Sequence, residues 1–191
     1  MIVITVPHAA CPPDVLGHPC DFMAPEVAQA IHKGLAGSTL IESEIHRDPK
    51  QLAIDGKPGS DQNRPWGRTD TKFKAALDKS NPTLLIDVHS FPRGGFEIDH
   101  EIEVVILDPG LSFGWDPFSH DLTLTLIKAG VNAVILRGGK QNAIVVDTRK
   151  RGIPAILLEM GEFMSPRAKE LTIKAVIRWA EKVEKNMPIS L

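Results

Sequence analysis

The sequence predicts an α/β fold, a sheet with helices packed on both faces. Three observations predict it. Short runs of apolar, mostly β-branched residues recur along the chain, and segments with apolar residues at helical spacing alternate with them. Clusters of Gly, Pro, Asn and Asp separate the two kinds of segment. The runs TLLIDV at 83–88 and IPAILL at 153–158 are apolar nearly throughout rather than alternating, as in strands covered on both faces.

Taken in order, Ile2 to Val6 reads as a strand that stops at Pro7. Residues 7–21, rich in Pro, Gly, His and Cys, form a loop. Pro25 suits the first turn of a helix, with Asp21 just upstream; Val27, Ala30, Ile31 and Leu35 repeat at helical spacing and Gly37 ends them. Thr39 to Ile45 is a second strand. Residues 46–69 are rich in Asp, Arg, Pro and Gly without periodicity, and long loops of this kind tend to be functional. A short helix is expected at 71–79, then strands at 83–88 and 102–107. A helix at 116–129, a strand at 131–136 and a helix at 142–151, ended by Gly152, come next. After the strand at 153–158, Ser165 and Pro166 open a last helix running to about Lys185. No repeat, low-complexity tract or linker interrupts the 191 residues, so one domain over 1–191 is expected.

Composition narrows the function classes. With 42% hydrophobic and 24% charged residues, the chain can bury a core without staples. A net charge of −2 gives no electrostatic case for nucleic acid or an anionic membrane. The opening MIVITVPHAA lacks the basic flank of a signal peptide and the length of a membrane span. Cys11 and Cys20 could pair, but a secreted disulfide framework usually needs more cysteines, so a reducing, cytoplasmic setting is expected.

Ligands of open α/β sheets collect beyond the carboxyl ends of strands. His8 follows the first strand, His46-Arg47-Asp48 the second, His89-Ser90 the TLLIDV strand and Glu159 the IPAILL strand. Two histidines, a glutamate and an arginine should therefore converge on one edge. A hydrolytic zinc site takes about three His, Asp or Glu ligands and keeps a position for water. A separate carboxylate moves a proton from water to the leaving amine, and an arginine steadies the oxyanion. A second arginine can grip a substrate carboxylate through a bidentate pair. His8 and His89 are the ligand candidates here, and Glu159, ending an apolar strand, is a carboxylate that needs a partner. Asp87 is expected to orient a ligating histidine. Glu162 either shares the site of Glu159 or faces water. No GxxxxGKS/T, GxGxxG or GxSxG motif is present.

Together, Pro7-His8-Ala9, His46-Arg47-Asp48-Pro49, Asp61-Gln62-Asn63-Arg64-Pro65, Asp87-Val88-His89-Ser90 and Leu157-Leu158-Glu159 resemble the N-formylglutamate amidohydrolase family. That family is similar to the zinc carboxypeptidase and aspartoacylase group. The resemblance implies a three-layer α/β/α fold around a mixed sheet and one zinc ion per chain. The implied reaction is hydrolysis of the carboxamide of an N-acyl amino acid or similar small amide bearing a carboxylate. It implies His8 and His89 as metal ligands and Glu159 as the general base. It also implies Arg47 near the scissile carbonyl, with Asn63 and Arg64 on the substrate carboxylate. The carboxypeptidase group takes a ligand from His-x-x-Glu, but position 11 here is Cys11. Asp21 matches the formylglutamate-type third ligand, with Asp14 and Cys11 as alternatives. Two other functions stay open: a non-catalytic metal- or ligand-binding protein, and a peptide carboxypeptidase.

Overall fold

The computed structural model describes residues 1–11, 20–45, 71–96, 98–99, 101–111, 114–140 and 142–186. Six strands and five helices alternate, each within a few residues of its expected place. They are β1 (Ile2–Val6), α1 (Ala24–Gly34), β2 (Thr39–Glu42), α2 (Thr71–Lys79), β3 (Leu84–Phe91) and β4 (Val104–Asp108), followed by α3 (Pro117–Lys128), β5 (Ala133–Arg137), α4 (Ala143–Lys150), β6 (Ala155–Gly161) and α5 (Pro166–Asn186). Polar caps set three helix starts: Asp116, Asn142 and Ser165 accept from the N–H groups of Ser119, Val145 and Ala168.

The strands form one mixed sheet in the order β2-β1-β3-β6-β4-β5. The first four are parallel; β4 pairs with β6 antiparallel, and β5 is parallel to β4. All residues of β1, β3 and β4 are buried, which explains their continuous apolar runs. On one face Ile4, Ile86, Ile106 and Leu158 pack against Val27 and Ile31 of α1, Leu122 and Leu126 of α3, and Val176 and Trp179 of α5. On the other, Val3, Leu85, Val105 and Leu157 meet Phe73 of α2 and Ile144 and Val145 of α4. The result is the three-layer α/β/α architecture.

The β1–α1–β2 and β2–α2–β3 connections run along the sheet in opposite directions. Helices α1 and α2 pack on opposite faces. From their carboxyl ends β1 leads to β2 on one side and β3 leads to β4 on the other, so the strand order reverses between them, where open α/β sheets form their crevice. Asp108, Arg137 and Arg149 form an ion-pair group with N–O distances of 2.9 Å. Because β4 runs antiparallel to β6, that group lies at the far end of the sheet from the crevice.

Two expectations change. The strands at 83–88 and 153–158 do not stop before His89 and Glu159. They continue because His89, Ser90 and Phe91 pair with Glu159, Met160 and Gly161. Cys11 and Cys20 are joined in a disulfide, with Cα atoms 5.1 Å apart, so neither is a free thiol. The Asp21 N–H donates to the His8 carbonyl at 3.1 Å and brings the two ends of that loop together. No helix among the described residues is long and apolar enough to cross a membrane.

Candidate metal centre

The crevice gathers side chains from three segments. His8 follows β1, Asp21 stands three residues before α1, and His89 projects from β3. Each offers one ligand atom, and these atoms all lie within 4.8 Å of one another. His8 Nδ1 is 3.3 Å and His89 Nδ1 2.7 Å from Asp21 Oδ2. All three residues are about 4% exposed, and the two imidazole rings stand edge to face with centroids 5.1 Å apart.

Asp87 is buried behind His89, two residues back on the same face of β3. Its Oδ2 lies 3.0 Å from His89 Nε2 and accepts from Asn142 Nδ2 at 2.6 Å, while Oδ1 accepts from Thr5 Oγ1 at 2.5 Å. Asn142 is held in turn, because its Oδ1 caps α4. Asp87 therefore fixes the ring of His89 and turns Nδ1 toward Asp21 and His8. This is the carboxylate–histidine arrangement of metal sites.

The charges follow from the contacts. Burial alone would push the Asp21 carboxyl up, but hydrogen bonds from His8 and His89 hold it well below the usual carboxylate range. Burial would lower His89, yet Asp87 and Asp21 on its two sides raise it well above the ordinary imidazole value. The donor set, two imidazoles and an ionised carboxylate oriented from behind, fits a divalent transition metal of borderline softness.

Glu159 lies directly across from His89 in the β3–β6 ladder, on the same face. Burial pushes its carboxyl up to about 7. The nearby histidines pull it down, and the charges of Asp21 and Asp87 push it up. A carboxylate that changes protonation near neutrality suits general base work. Glu162 is placed elsewhere, with its Oε1 accepting from Ser90 Oγ at 2.8 Å and from the Phe22 N–H at 3.0 Å.

Of the residues expected to converge, the structure brings together His8, Asp21, His89 and Glu159. Cys11 is engaged in the disulfide and is not a ligand. Asp14, Arg47, Asn63 and Arg64 lie outside the described residues. Thr5, Asn142 and Ser90 complete the site without having been singled out for these contacts. In the sequence Asn142 only begins the helix expected at 142–151.

No protein-family model matches the chain, and no curated protein does. Solved structures do. A gene product of Agrobacterium tumefaciens aligns with a TM-score of 0.66 at 14% identity, over 96% of this chain and 90% of that one. An N-formylglutamate amidohydrolase from Ralstonia eutropha aligns with a TM-score of 0.63 at 16% identity, over 97% and 94%. A metallo-carboxypeptidase from Burkholderia cenocepacia gives a TM-score of 0.51 at 13% identity, over 95% of this chain and 56% of that one. The chain thus has the fold of these proteins, an amidohydrolase and a metallo-carboxypeptidase among them.

Proposed function

We propose that this chain is a zinc-dependent amidohydrolase. Its substrate would be the carboxamide of an N-acyl amino acid, such as an N-formyl amino acid, or a similar small amide bearing a carboxylate. The observation that carries the reading is geometric: Glu159 lies directly across the β3–β6 ladder from His89, beside the His8, Asp21 and His89 cluster. The names of the amidohydrolase and metallo-carboxypeptidase of like fold support it.

His8 and His89 would hold the ion through imidazole nitrogens and Asp21 through a carboxylate oxygen. A bound zinc ion would polarise the scissile carbonyl and acidify water. The Glu159 carboxylate takes a proton from water as the new C–O bond forms. It then delivers that proton to the leaving nitrogen as the C–N bond breaks, giving a carboxylic acid and a free amine. Asp87 keeps the His89 ring in place throughout. In this reading Arg47 steadies the carbonyl oxygen as charge develops, and Asn63 and Arg64 bind the substrate carboxylate.

A panel of N-formyl and N-acetyl amino acids tests the proposal. Turnover should stop on chelation and return with zinc. Glu159→Gln should keep the ion and lose about 100-fold or more of the rate. Turnover unaffected by chelation, or full activity in Glu159→Gln, would overturn it.

A further inference from the structure

Asp21 reaches the cluster from a segment whose helix has no cap of its own: Met23, at the N-cap position of α1, makes no side-chain cap bond. The sheet supplies acceptors instead. The Phe22 N–H donates to Glu162 Oε1 at 3.0 Å, and the Met23 N–H donates to Ser90 Oγ at 3.3 Å. Ser90 Oγ–H donates to the same Glu162 Oε1 at 2.8 Å. A hydroxyl and a carboxylate oxygen thus close a ring of hydrogen bonds. It ties residues 22 and 23 to the ends of β3 and β6, the strands that carry His89 and Glu159. Ser90 is 4% exposed, so water has little access to its hydroxyl.

We propose that Ser90 and Glu162 are positioning residues for the metal centre, setting where Asp21 Oδ2 stands against His8 and His89. The proposal rests on the metal-binding reading of that cluster. Asp21 immediately precedes the tethered pair, so a change in their anchorage moves its carboxylate relative to His8 and to the His89 ring, which β3 and Asp87 hold in place. Partners behind a metal ligand are commonly worth about 10- to 100-fold in affinity.

The test is zinc affinity by competition with a chromophoric chelator, paired with urea unfolding of each metal-free protein. Glu162→Ala and Ser90→Ala should each weaken zinc binding by about 10-fold or more. Glu162→Gln keeps an oxygen that can accept both bonds and should stay within about threefold of wild type. A role limited to capping α1 would lower stability and leave the zinc affinity of the folded protein unchanged. Wild-type affinity in both alanine variants overturns the proposal while the metal site stands. Glu162→Gln binding as weakly as Glu162→Ala also overturns it, because the charge would then act on the ion directly. A wild-type chain that binds no zinc overturns this proposal and the metal reading together. Should Glu162→Ala fail to fold, Ser90→Ala, which removes only one oxygen, decides.

Discussion

Replacing Glu159 by glutamine should stabilise the metal-free protein at neutral and alkaline pH although it removes the proposed base. Burial lifts the Glu159 carboxyl from its ordinary 4.5 to about 7. Between these values the folded chain holds a proton that the unfolded chain has released. Stability therefore falls as pH rises through this window, and the loss is complete above about pH 7. At about 1.4 kcal/mol per tenfold change in proton affinity, the penalty is on the order of 3 kcal/mol. A neutral amide escapes it. The gap in unfolding free energy, variant minus wild type, should widen by that amount between about pH 4 and about pH 8. Urea unfolding in the presence of chelator, followed by circular dichroism, measures it. Comparing the proteins at each pH largely cancels the other titrating groups. Zinc should narrow the gap, because a cation favours the ionised carboxylate. A gap independent of pH, or one that closes as pH rises, would refute the reasoning.

Three further outcomes are expected. Asp87→Ala leaves buried donors on Thr5, Asn142 and His89 without their acceptor. It should weaken zinc binding by about 10- to 100-fold and destabilise the fold by several kcal/mol, roughly 1–3 for each donor; unchanged affinity in a chelator competition would contradict this. Reducing the Cys11–Cys20 disulfide, which closes a loop of sequence separation 9, should cost on the order of 2–3 kcal/mol. An unshifted urea midpoint with a dithiol reductant present would show that the bond contributes nothing. Arg64→Ala should raise KM for N-acyl amino acids and leave it unchanged for amides lacking the carboxylate, since only the former offer a bidentate partner; equal effects on both would remove Arg64 from that role.

The layers of the fold were legible because they are written locally. Continuous apolar runs mark buried strands, and the apolar spacing of Val27, Ile31 and Leu35 marks α1. The ends of β3 and β6 were not. A polar residue such as His89 looks like a stop when its partner, Glu159, is 70 positions away in the sequence. The reversal of β4 against β6 has no local signal either, since apolar periodicity carries no information on strand direction. The same limit governs the site. His8, His89 and Glu159 stood out as polar groups at the ends of apolar runs. The contacts of Asp87 with Thr5 and Asn142 span 82 and 55 residues and form only when the sheet does. The pairing of Cys11 with Cys20 stayed open in the sequence for a related reason. Cys11 and Cys20 meet because the chain folds back from His8 to Asp21, a turn that composition does not announce.

The proposed activity requires above all that His8, Asp21 and His89 hold an ion. Elemental analysis of purified, dialysed protein tests this, with His89→Ala as the comparison. About one zinc per wild-type chain and none in the variant is the expected result. A wild-type chain without bound transition metal that takes up none on titration, or a variant that retains the ion, would contradict it.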